Sequence, residues 1–211
     1  MTSVTSINSI NSITIEVPDP SAAKAFYAAA FSLNDQLNMS ASGASGARTS
    51  GFRGFTLSLV VSQPATVDAL VGAALDAGAT TVKAATKSLW GYGGVVQAPD
   101  STIWKVATSS KKNSGPASRK IDEIVLLVGA ADVLASKRFY VDHGFAVAKS
   151  FGRKYVQFDS APGEIKLALY GRRALAKDAG VTPDGFGPHG IIIGSPAGPF
   201  VDPDGFTWET A

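Results

Sequence analysis

Apolar and polar side chains alternate over Ile13–Val17, the period-two pattern of a strand with one buried face. Asp19-Pro20 follows, an N-cap residue with proline at the first helical position, and Ala22–Phe31 then reads as a helix. The same sequence of elements returns at Glu123–Val128, an apolar strand, followed by a helix over Asp132–His143 that stops at Gly144. Phe26-Tyr27 and Phe139-Tyr140 occupy matching points of the two helices. Further on, Gly93–Ala107 and Gly198–Ala211 each read as strand, tight turn, strand, and both contain Pro-Asp-x-x-x-Trp, ending at Trp104 and Trp208. Two landmark pairs in the same order and at similar separation argue for an internal duplication.

Between its landmarks the first half carries a strand over Gly51–Val61 and a helix over Val67–Ala77. The second half carries strands at Lys154–Phe158, Glu164–Tyr170 and Gly190–Ile193 and a short helix over Arg173–Ala179. The polar, basic stretch Ser109–Lys120 divides the two. The expected organisation is a module over 1–108, a linker over 109–120 and a second module over 121–211, each roughly βαβββ. The first dozen residues stutter Ser-Ile-Asn and are expected to fray.

Composition narrows the chemistry. Of 211 residues, 45% are hydrophobic and 17% charged, enough apolar side chain to bury a core. A formal charge of +2 is far from the one-sided balance of a nucleic-acid binder, so no nucleic-acid partner is expected. With no cysteine, disulfides, thiolate nucleophiles and cysteine-held metals are excluded, and two histidines leave little imidazole chemistry. The start lacks a basic, apolar leader and no stretch reaches the roughly 18 apolar residues of a membrane span, so a soluble, cytoplasmic protein without a membrane partner is expected. No phosphate-loop or nucleophile-elbow pattern appears.

Three segments, ITIEVPDPSAAKAFYAAAF, LWGYGGVVQAPDSTIWKV and GPFVDPDGFTWET, resemble the hallmark segments of the vicinal oxygen chelate superfamily, which groups glyoxalases, bleomycin-resistance proteins and extradiol dioxygenases. The resemblance covers nearly the whole chain. It implies an α+β fold of two tandem βαβββ modules whose mixed sheets curve into a cup holding the ligand. In metal-dependent relatives the ion is held by histidine and glutamate on first and last strands of the modules. Carried onto this chain, those positions fall on Ser12, Lys105, Glu123 and Glu209. Serine is a weak ligand and lysine a cation at neutral pH, so the set is a poor metal site. The expectation is that Lys105 takes the place of the ion and pairs with Glu209 or Glu123, with no cofactor.

Strand parity places Ser12, Thr14 and Glu16 on one polar face, the natural cup side, and turns Trp104 and Trp208 toward the helices. Glu123 shares its face with Val125 and Leu127. Trp90 and Tyr92 lie in Trp-Gly-Tyr-Gly-Gly, read either as a lid over a planar ligand or as a plain glycine-rich turn. His143 suits a helix C-terminus; His189 either is structural or binds substrate. Arg172 and Arg173 are read as a solvated surface pair or an anion contact.

The expected activity is metal-independent binding of a small, partly aromatic organic molecule, with Glu16, Trp90, Tyr92, Lys105, Glu123, His189 and Glu209 as candidate contacts. The alternatives are a lyase, isomerase or dioxygenase using a divalent metal ion on Glu123, His189 and Glu209, and a scaffold whose cup is filled by its own side chains. Two modules in one chain complete a cup without a partner, leaving monomer and homodimer both open.

Overall fold

The computed structural model describes residues 8–33, 37–42 and 49–211. Strand β1 (Ser12–Val17) buries Ile13, Ile15 and Val17 and half-exposes the residues between them. The Asp19 side chain accepts from the Ala22 N–H at 3.0 Å and so starts α1 (Pro20–Phe31), after which β2 (Leu37–Ala41) runs parallel to β1. There follow β3 (Ser50–Gly51), β4 (Phe55–Val60), α2 (Pro64–Asp76), β5 (Thr80–Ser88), β6 (Gly91–Gln97) and β7 (Ile103–Thr108). The remainder of the chain supplies β8 (Glu123–Ala130), α3 (Val133–Asp142), β9 (Val147–Ser150), β10 (Tyr155–Phe158), β11 (Lys166–Gly171), α4 (Arg172–Ala179), β12 (Gly185–Phe186), β13 (Ile191–Gly194), β14 (Phe200–Val201) and β15 (Thr207–Glu209).

The strands form an eight-stranded sheet, β5-β6-β7-β4-β8-β11-β10-β9, a five-stranded sheet, β14-β15-β13-β1-β2, and the small ribbon β12-β3. In the larger sheet β4-α2-β5-β6-β7 and β8-α3-β9-β10-β11 each run βαβββ with first strand beside last, and the two units join where β4 pairs antiparallel with β8. In the smaller sheet β1 pairs antiparallel with β13. Each half of the chain thus supplies strands to both large sheets. The mixed α+β architecture is the one the resemblance implied.

Helices α1, α2 and α3 share one core with the apolar faces of both sheets, including Ile15, Leu57, Leu126, Ile193, Trp104 and Trp208. The repeated landmarks make the same contact twice. Tyr27 lies 5.4 Å from Trp104 and donates its hydroxyl to Asp100 at 2.7 Å. Tyr140 lies 5.4 Å from Trp208 and donates to Asp202. In each case the helix tyrosine ties down a hairpin aspartate, in the first half that of the shared motif and in the second the one two residues before it.

Three local expectations change. Residues 1–7 of the polar lead lie outside the described residues, but the end of the lead does not fray: Ile10 is fully buried, and its carbonyl accepts from Ile165 N–H at 3.1 Å. The Gly51–Val61 strand begins only at Phe55, because Gly54 sits at φ +86° and turns the chain. Gly91–Gln97 is a strand rather than a loop, leaving Leu89-Trp90 as the turn. The linker is held as well, with the Gln63 side chain bonded to Ser114 N–H, Gly115 N–H and the Pro116 carbonyl. Among the described residues no helix is long and apolar enough to cross a membrane.

Candidate functional site

Laterally paired residues of a sheet point to the same side. On the face of the eight-stranded sheet turned away from α2 and α3, the register aligns Val95 on β6, Lys105 on β7, Ser58 on β4, Val125 on β8 and Lys166 on β11. This is the cup face, and the row crosses the first and last strand of both βαβββ units. Its four central positions hold Lys105, Ser58, Val125 and Lys166.

The two ammonium groups are neutralised separately. Lys105 Nζ meets Asp178 of α4 at 2.7 Å, and Lys166 Nζ meets Glu123 at 2.5 Å. The expected partner of Lys105, Glu209 or Glu123, is therefore corrected to Asp178: Glu209 belongs to the other sheet, and Glu123 is taken by Lys166. A row with two lysines, a serine and a valine does not fit a divalent ion, since it offers cations where the ion needs lone pairs. Among the described residues no group of three His, Asp or Glu side chains is placed to hold a metal.

Above the row, helix α4 lies on the cup face against β4, β8 and β11. It is short, capped by Gly171 and by Gly180 at φ +84°, and it buries Leu175, Ala176 and Ala179 against Phe52, Val95 and Ile103, with Val82, Leu127 and Tyr170 packed alongside. Arg172 fixes its start by bonds to the Phe52 carbonyl (2.7 Å) and the Pro183 carbonyl (3.2 Å), with its guanidinium 5.2 Å from the Phe52 ring centre. Arg172 is thus an anchor and no part of a solvated arginine pair. Lys83 Nζ closes the other end on the carbonyls of Lys177 and Asp178, at 2.8 and 2.6 Å.

The remaining predicted residues are dispersed. In the five-stranded sheet Ser12, Gly194 and Glu209 share a row, with Glu209 exposed at β15, and Glu16 pairs with Ser40 two rows beyond Thr14's neighbour Ile192. His189 has both ring nitrogens committed, Nδ1 to the Arg53 carbonyl at 2.5 Å and Nε2 to the Asp204 carbonyl at 3.0 Å, and it stacks on Phe206 at 3.8 Å. Neither nitrogen is free for a ligand, so this histidine joins the two sheets' loops. Beside it, Arg53 bonds the His189 carbonyl, and burial lowers its guanidinium from the usual value against the opposing pull of Asp100, Tyr27 and Glu16. Trp90 is 85% exposed at its turn, and Tyr92 donates to Asp68 at 2.8 Å, so the pair forms no lid in this state. His143 caps α3, its Nδ1 at 2.8 Å from the Phe139 carbonyl.

Two grooves offer room for a small molecule. One, of about 620 Å³, borders the Glu123–Lys166 pair and is lined also by Phe31, Leu33, Arg119 and Ile121. The other, of about 570 Å³, lies between α1 and the Pro99-Asp100 turn and is almost wholly apolar. Lys166, Asp178 and Ser58 were not singled out from the sequence. The signal was present in Lys166, which sits on a last strand as Lys105 does.

No protein-family model and no curated protein sequence matches the chain. Solved structures do. A glyoxalase I variant from Zea mays superposes with a TM-score of 0.59 at 14% identity, covering 95% of this chain and 91% of that one. Glyoxalase I from Zea mays gives 0.58 at 13% identity, with 92% of this chain and 75% of that one covered. A putative dioxygenase from Bacillus subtilis gives 0.53 at 14%, with 90% and 71% covered. The chain has the glyoxalase fold. Here that fold carries a lysine row and a helix on the face of its larger sheet turned away from α2 and α3.

Proposed function

We propose that the protein binds a small, partly aromatic organic molecule without a metal ion, at the open end of the cup face beside Glu123 and Lys166. The observation that carries this reading is the row Lys105–Ser58–Val125–Lys166, which occupies the first- and last-strand positions with two ammonium groups. The adjoining groove of about 620 Å³ is in the size range of small-molecule sites. Phe31, Leu33 and Ile121 offer an apolar wall to the body of a ligand, and the Lys166–Glu123 pair offers a donor and an acceptor to its polar end.

Elemental analysis of the purified protein, together with thermal shift against a panel of aromatic acids, amines and amides, tests this. The expected result is no stoichiometric divalent ion and at least one compound that raises Tm by preferential binding to the native state, an effect lost in Lys166→Met. A tightly held divalent ion at one per chain overturns the reading. A second reading, that the fold serves as a scaffold, is favoured by one observation: α4 fills much of the cup face with Leu175, Ala176 and Ala179. A panel that yields no stabilising compound supports it.

A further inference from the structure

The part of the cup face under α4 is an apolar floor. Beneath the helix lie Phe52, Val95 and Ile103, with Val82, Leu127 and Tyr170 alongside, an apolar floor with aromatic edges. At one side of that floor stand Lys105 and Lys83, whose ammonium groups meet the Asp178 carboxylate and the last carbonyls of α4. Viewed from the sheet, α4 therefore presents a compact apolar body, Leu175 with Ala176 and Ala179, and next to it one carboxylate. That is the outline of an apolar carboxylic acid.

Apart from its packing, the helix is held at its ends, by Arg172 on the Phe52 and Pro183 carbonyls and by Lys83 on the Lys177 and Asp178 carbonyls. It has eight residues, too short to be stable without its packing, and it is bounded by Gly171 and Gly180. Arg173, Ala174 and Lys177 face solvent. The Lys105 and Asp178 side chains are 33% and 40% exposed, so water and salt compete with their pairing. We propose that α4 is a displaceable plug and that the floor beneath it binds an apolar, preferably aromatic, monocarboxylate, whose carboxylate replaces that of Asp178 on Lys105 and lies beside the Lys83 ammonium that the last α4 carbonyls release. This site is separate from the groove at Glu123 and Lys166, and the inference stands or falls without it.

Displacement of the helix subtracts from affinity by the fraction of molecules in which the floor is free, so weakening the plug strengthens binding. Calorimetric titration with 4-phenylbutyrate, and with 4-phenylbutylamine as the charge-reversed control, reads this out on the full chain. Asp178→Ala is expected to tighten 4-phenylbutyrate about tenfold over the unaltered protein, the size of change a freed minor state supplies. Lys105→Met, which keeps the aliphatic stem, is expected to abolish binding, and the amine is expected to bind no variant. Hydrogen exchange on the unaltered protein supplies a readout independent of any variant's folding: saturating 4-phenylbutyrate should speed exchange of the α4 amides and leave β8 protected. Absence of 4-phenylbutyrate binding to both the unaltered protein and Asp178→Ala overturns the proposal, as does binding that leaves α4 exchange unchanged.

Discussion

Tyr27 and Tyr140 each lie within the core, and burial pushes both hydroxyls well above the usual tyrosine value. They stay protonated and donate, Tyr27 to Asp100 and Tyr140 to Asp202. Burial is also the largest influence on Asp202, raising its carboxyl above the usual value against the pull of Tyr140 and of the Phe206 and Asp204 N–H groups. An acid raised in the folded state favours folding while protonated, and that contribution is lost as pH climbs from the unfolded value of about 3.9 through the folded one. Tyr140→Phe removes a donor that stabilises the ionised form. Its cost should be about 1.5–3 kcal/mol at neutral pH, the range for a hydrogen bond to a charged group. Urea unfolding should show that cost shrinking as pH falls toward 3, where Asp202 is protonated with or without the tyrosine. Tyr27→Phe has a second consequence, since the Tyr27 oxygen also accepts from Trp104 Nε1 at 3.3 Å. A cost of about 1–3 kcal/mol is expected from the stranded indole donor, with the same measurement as its check.

At the scale of elements, local chemistry was readable wherever a cap or a period-two pattern marked it. Asp19 and Asp132 start α1 and α3 as expected, and β1 alternates as its sequence does. Strand β5 was not readable, because Thr80–Ser88 is exposed along almost its whole length and has no apolar face to betray it. Nor was the row on the cup face. Lys105 and Glu123 were recognisable as candidates, yet their true neighbours, Asp178 and Lys166, are set by strand order and by the path of α4, neither of which leaves a local mark. The Asp132 cap carries its own test. Backbone N–H groups of Ala135 and Leu134 hold its carboxyl below the usual value, so the stabilisation is present above about pH 4 and is lost as pH falls through the depressed folded value. Asp132→Ala should therefore unfold at lower urea than the unaltered protein at pH 7, with the gap narrowing in acid; Asp132→Asn, which retains a capping oxygen, should fall between them.

The whole molecule is held together by exchange between its halves. Residues 1–108 give β1 and β2 to the smaller sheet and β4 to β7 to the larger; residues 121–211 give β13 to β15 and β8 to β11. The central seam of the larger sheet, β4 on β8, pairs Phe55 through Val60 with Val128 through Glu123, and the seam of the smaller sheet joins β1 to β13. A half alone would expose both seams, each an unpaired strand edge bordered by apolar side chains such as Leu57, Leu126, Ile15 and Ile191. The linker is tied down only by side-chain and main-chain hydrogen bonds, from Gln63, Ala65 and Thr66 at the start of α2 and from Arg119 to the last carbonyls of α1, and Lys111 and Lys112 are exposed. Cleavage engineered between Lys111 and Lys112 should accordingly leave one particle of unchanged size on gel filtration, with a Tm lowered by the loss of a covalent tether. Residues 1–108 and 121–211 produced separately should each lack cooperative unfolding, and mixing them should restore it. If either half alone unfolds cooperatively as a monomer, the strand exchange is not what stabilises the fold, and the chain is better regarded as two self-sufficient modules joined by 109–120.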